Sequence, residues 1–198
     1  MRKPSPKVIR SALIRWKTSK EYERYRDQEK VLRQLFQDLF PKNNSISAIL
    51  LKVTALNQFY STNIYDTYSM ARHILELKID KHLVRGDLTL IGEIAAIKLS
   101  RRKKKFYSFA TKYCSHYFPE CFPIYDSFVS KMLALYRKQF KFESFSQNGL
   151  KDYEKFKNVL TAFRGAFGLN RIPLKETDIF LWINGREKFS KWRKKSRT

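Results

Sequence analysis

A carboxylate at the mouth of a helix, fixed from behind by a proline, is the arrangement in this sequence best suited to chemistry. It occurs in Cys121-Phe122-Pro123-Ile124-Tyr125-Asp126-Ser127-Phe128-Val129, where an apolar turn delivers Asp126. Proline fixes its own φ and biases the residue before it to extended backbone, so the aspartate arrives in a set direction. A carboxylate held this way can stabilise a developing positive charge, or orient and deprotonate a water. It can equally serve only as a helix N-cap, accepting from first-turn N–H groups.

The charge balance decides what such a carboxylate would meet. Lys and Arg number 41 against 18 acidic residues, a formal charge of +23 on 198 residues. That excess repels itself unless a polyanion neutralises it, and nucleic acid is the partner it fits before an anionic membrane. Its densest run is Ser100 followed by Arg101, Arg102, Lys103, Lys104 and Lys105. This run reads as a phosphate clamp made of side-chain cations, or as a solvated charged turn. Aromatic residues make up 15% of the chain. Phe106, Phe109, Ala110 and Tyr113 fall at helical spacing and read as core, whereas Tyr60 and Tyr125 are the aromatics best placed to line a pocket.

The elements that must position these residues are helical throughout. Six glycines and six prolines are few, 43% of residues are apolar, and no period-two strand pattern stands out. The pattern predicts about nine helices, an all-α fold. They run near Pro6–Lys17, Lys20–Phe40, Ile46–Phe59, Asn63–Leu77, Asp87–Leu99, a sixth ending near Tyr117, Asp126–Gln139, Lys151–Phe167 and Leu174–Gly185. One helical domain of two lobes is expected over 1–189, followed by a basic tail over 190–198.

Other chemistries find little support. Cys114 and Cys121 lack the further Cys or His partners of a zinc site or iron–sulfur cluster and read as core thiols. His73, His82 and His116 are scattered and receive no role. The N-terminal segment lacks an apolar signal region, and no apolar run approaches the ~20 residues of a membrane span. An intracellular protein that binds no membrane, metal or organic cofactor, and acts as a monomer, is the expectation.

Helix, short basic turn, helix and then a proline turn ending in Asp126 resembles the helix-hairpin-helix base-excision DNA glycosylase superfamily. In its adenine-mismatch branch the return to the essential aspartate reads phenylalanine, proline, isoleucine, any residue, aspartate, with a valine three places on. Phe122-Pro123-Ile124-Tyr125-Asp126 and Val129 follow that pattern. A second resemblance lies upstream, where family members place a polar break that reaches the extruded base. Tyr60, Ser61, Thr62 and Asn63 occupy the corresponding place, and the same residues also suit a helix N-cap. The family hairpin uses glycines to bring backbone amides to a phosphate, and the segment Ser100–Lys105 has none. Ser108 falls where the bifunctional branch carries its imine-forming lysine, with Lys105 a turn earlier. A hydroxyl cannot form an imine, so the resemblance implies simple hydrolysis, with Lys105 the alternative for a lyase.

The resemblance implies a fold of two helical lobes around a cleft and an N-glycosylase acting on double-stranded DNA with a damaged or modified base. Asp126 would be the catalytic carboxylate, Tyr60, Ser61, Thr62, Asn63 and Tyr125 would meet the base, and Arg101, Arg102, Lys103, Lys104, Lys105 and Ser108 would hold phosphates. Compact bacterial relatives attack modified bases in phage DNA, which leaves repair and invader defence as alternatives. The rival is a non-catalytic helical binder of DNA or RNA. A carboxylate exposed at the floor of a basic-rimmed cleft would favour the enzyme, and one bonded solely to its own helix the binder.

Overall fold

Helices in this chain start where a short polar side chain can accept from the first turn. Ser5 accepts from Val8 N–H ahead of α1 (Pro6–Thr18), whose first residue is a proline that needs no N–H partner there. Asp152 likewise caps α9 (Tyr153–Ala166). The computed structural model describes residues 1–99, 102–103 and 105–195, with backbone alone at 98–99, 102–103 and 191–195. Among these residues the fold is all-α apart from one two-stranded ladder. No described helix is long and apolar enough to cross a membrane.

The chain forms two compact units, and its path gives them an inserted order. Unit 1 combines Met1–Tyr22 with Tyr125–Thr198, and unit 2 is the continuous segment Glu23–Ile124.

Unit 1 holds α1, a 3-10 turn (Lys20–Tyr22), α8 (Ser127–Phe140), α9 and α10 (Leu174–Lys195). Helix α10 packs against both α1 and α8. Ile9, Val129, Met132, Leu133, Phe156, Leu160, Phe163, Phe180 and Leu181 are buried in this unit. Tyr22 donates from its hydroxyl to Glu187 at 2.8 Å, and Arg186 pairs with Glu21 at 2.7 Å, so α10 is tied to the segment after α1. Helix α10 runs past the expected end near Gly185, so 190–195 of the expected basic tail is helical backbone, while 196–198 lie outside the described residues.

Unit 2 contains α2 (Glu23–Arg33), a π-helical turn (Gln34–Leu39), α3 (Ile46–Tyr60), α4 (Thr67–Leu77), α5 (Asp80–Arg85), α6 (Thr89–Ala95) and α7 (Tyr107–Ser115). Helix α3 packs on α4 and α7, and α6 packs on α7. Between α6 and α7 the chain forms strands β1 (Lys98–Leu99) and β2 (Arg102–Lys103), paired antiparallel with Lys98 opposite Lys103 and Leu99 opposite Arg102. The helix expected from Asp87 to Leu99 therefore stops at Ala95, and the stretch expected as a basic turn carries a short ladder.

The interior of unit 2 is built around an ammonium. Lys52 is wholly buried and donates to Phe40 O, Lys42 O, Asn43 Oδ1 and the Tyr117 hydroxyl at 2.6–3.1 Å. Asn43 Oδ1 also accepts from Tyr113 and Tyr117, while the Asn43 N–H groups donate to Asp80. Burial pulls the Lys52 pKa down to about 8, against the opposing pull of Asp80.

Candidate functional site

Asp126 is the N-cap of α8. Its backbone is extended, with φ −142° and ψ 175°, and its Oδ1 accepts from Val129 N–H at 2.8 Å. That is the geometry an N-cap requires, and the preceding Pro123 supplies the extended approach. The carboxylate is part-exposed, and among the described residues Oδ2 makes no hydrogen bond or ion pair. One oxygen is therefore fixed by the helix and the other remains a candidate for an outside group. A carboxylate bonded, among the described residues, solely to its own helix is the arrangement expected of the non-catalytic binder. Tyr125 sets its ring edge-on to Phe156 of α9, with centroids 5.4 Å apart.

A separate pocket lies in unit 2. It has a volume of about 280 Å³ and is lined by Tyr60, Ser61, Thr62 and Asn63 on one side and Lys105, Phe106, Tyr107, Ser108 and Phe109 on the other. This is near the low end of small-molecule sites, roughly 300–1,000 Å³. Of the residues singled out in the sequence, the structure brings together Tyr60, Ser61, Thr62, Asn63, Lys105 and Ser108. Asp126 and Tyr125 belong to unit 1. Arg101 and Lys104, and the side chains of Arg102 and Lys103, lie outside the described residues.

The first wall is a break between helices, held in shape by one amide. Asn57 Oδ1 accepts from Thr62 Oγ1 at 2.7 Å and from Ile64 N–H at 3.0 Å, while Asn57 Nδ2 donates to Ile64 O. Ile64 is buried and pins the far end of the break. Ser61 and Asn63 both sit in the left-handed region, at φ 50° and 58°. Such conformations cost energy in non-glycine residues and persist where the surroundings impose them. The expected capping role of Ser61, Thr62 and Asn63 falls to Asp66, which accepts from Ser69 N–H and Oγ at the start of α4.

The second wall is the first turn of α7. Lys112, one turn further on and 5% exposed, donates to Ser108 Oγ and to Ser108 O. Its Nζ lies 5.2 Å from the Tyr60 ring centroid. The Tyr60 hydroxyl is 3.3 Å from His116 Nε2. Lys112, His116 and Asn57 went unrecognised in the sequence. Lys112 had one usable signal, its i,i+4 spacing from Ser108.

The cysteines lie apart from this pocket. Cys114 is buried, and burial pushes its thiol pKa far up. Cys121 is part-exposed, with Sγ beside the left-handed Gly86, 3.7 Å from where a β-carbon there would sit.

The model of the HI_0787_N family, an N-terminal domain, matches residues 8–121. The chain belongs to that family. A relative in Haemophilus influenzae (strain ATCC 51907 / DSM 11121 / KW20 / Rd), described as an uncharacterized protein, is 44% identical over 147 residues, spanning 74% of this chain and 70% of the relative. No solved structure matches. The region shared with the family takes in both walls of the pocket and stops short of Asp126.

Proposed function

We propose that this protein is a DNA N-glycosylase that hydrolyses the bond between deoxyribose and a damaged or modified base flipped from duplex DNA. The observation that carries this reading is the pocket. Two segments far apart in sequence line it, and they are the ones that the glycosylase resemblance links to base contact and to the hairpin. An enzyme acting on a base must take it out of the stack, and a small pocket with aromatic and cationic walls suits an extruded ring. The net charge of +23 suits the phosphates around it.

Asp126 supplies the chemistry in this reading. As the C1′–N bond breaks, the base leaves with the bonding pair and takes a proton from solvent, and positive charge gathers on the sugar. The Asp126 carboxylate stabilises that charge and takes the proton of the water that adds to C1′. With a serine at 108 no imine forms, and the product is an abasic site in an unbroken strand.

A non-catalytic binder of DNA or RNA has one observation in its favour: Asp126 bonds its own helix. Incubation with genomic DNAs of differing base modification, scored for alkali-labile abasic sites, separates the two. The wild type is expected to release a base from at least one DNA, and Asp126→Asn to lose that activity by orders of magnitude while folding and binding normally. Asparagine caps about as well as aspartate. Abasic sites formed equally by Asp126→Asn would overturn the mechanism, and none with any DNA would leave the binder. Borohydride should trap no covalent adduct. Efficient trapping that disappears in Lys105→Ala would instead make the protein a lyase.

A further inference from the structure

The pocket in unit 2 is lined by charge of one sign. Of its nine lining residues Lys105 is a cation and none is acidic. Lys105 is exposed, and among the described residues its ammonium has no hydrogen-bond or ion-pair partner. An ammonium on a flexible four-carbon stem can follow a ligand within its reach, so it need not be placed in advance. Lys112 holds a second positive charge behind the same wall. It is buried, donates to Ser108, and lies 5.2 Å from the Tyr60 ring centroid. A buried charge is screened by salt less than an exposed one. Tyr60, Phe106, Tyr107 and Phe109 add aromatic surface to the lining. Aromatic walls accept any flat ring, and an unbalanced positive field then sorts rings by their charge.

We propose that the pocket selects a flipped base whose ring carries a carboxylate over the same base with a neutral group in that place, and that Lys105 is the specificity-determining cation. This rests on reading the pocket as the seat of the flipped base. A backbone phosphate is the other anion that DNA offers this lysine. Every duplex carries it, so such a contact changes affinity and leaves selectivity alone.

The probes are two pairs of duplexes with a single modified base: 5-carboxy- against 5-carbamoyl-deoxyuridine, and 7-carboxy- against 7-carbamoyl-7-deaza-deoxyguanosine. Carboxylate and amide are close in shape, so the members of each pair differ in charge. Affinity is measured by fluorescence anisotropy at low salt, which makes the test independent of turnover, and the ratio within each pair is what is read. The wild type should prefer the carboxylate in at least one pair by about three- to fivefold, the worth of a partly exposed charge pair. That preference should shrink as salt rises. Lys105→Gln should at least halve the ratio, Lys105→Glu should bring it to one or below, and Lys105→Arg should keep it. A wild-type ratio below about twofold in both pairs, or one that Lys105→Gln and Lys105→Glu leave unchanged, overturns the inference. Equal loss of affinity for both members in Lys105→Gln assigns the lysine to a backbone phosphate and overturns it as well. Base excision without carboxylate preference removes this inference and leaves the glycosylase reading; carboxylate preference without excision does the reverse.

Discussion

Lys52 meets four oxygens in the interior of unit 2, yet burial still disfavours its charge. Its pKa falls from the ordinary 10.5 to about 8 in the folded protein. Between these values Lys52 binds more protons in the unfolded state than in the folded one, so its contribution to stability rises with pH across that window. Above the ordinary tyrosine value of 10.0 the sign reverses. Tyr22 is raised to about 12 by burial and by Glu187, and burial raises Tyr113, Tyr117 and Tyr136 further. These phenols ionise first in the unfolded chain, which withdraws stability as pH climbs. Burial raises the Cys114 thiol in the same sense, so this loss begins above its ordinary 9.0. Denaturant unfolding should therefore show the stability difference between the wild type and Lys52→Met growing by about 2 kcal/mol from pH 8 to 10, over a loss at the upper end that both proteins share. A difference that stays constant with pH would refute this account of Lys52.

At the scale of elements, α8 and α10 approach closely at Gly185. A β-carbon at Gly185 would lie 2.7 Å from Phe128 Cβ and 2.8 Å from Phe128 O. Part of that obstruction is backbone, which cannot swing aside. Gly185→Ala should destabilise the protein by about 1–3 kcal/mol, despite the better helix propensity of alanine. Gly165→Ala in α9, which meets nothing within 4 Å, should instead hold or raise the melting temperature. Equal melting temperatures for the two variants would refute this account of the crossing. The sequence made the long helices legible through their apolar spacing, and Asp126 through its proline turn. It did not reveal α5, a helix of 6 residues, or strands of 2 residues each, because such pieces are too short for a period. The break at Tyr60–Asn63 looked like a cap because serine, threonine and asparagine favour caps. Its true organiser, Asn57, looks like any polar residue of a helix until the chain turns back on it. Nothing in the sequence marked Lys52 or Lys112 as buried, because only tertiary packing shows a lysine to be so.

For the molecule as a whole, the excess of 23 positive charges governs encounter with any polyanion. DNA affinity should fall steeply with salt, with a log–log slope near −0.9 for each phosphate neutralised. Replacing Arg101, Arg102 and Lys103 together by alanine should flatten that slope, and an unchanged slope would show that this run does not hold phosphate. The inserted order of the two units has a consequence in time as well as in space. Helix α1 packs on α10, and the whole of unit 2 is made between them. On a ribosome adding about 5–20 residues each second, α1 waits roughly ten to thirty seconds for its partner. Through that interval the side chains of Ile9, Ala12 and Leu13, buried in the finished protein, lie open to whatever the nascent chain meets. Unit 2, contiguous from Glu23 to Ile124, can close in the meantime. Birth of this protein is thus staggered: the middle matures first, and the opening segment is the last to find shelter.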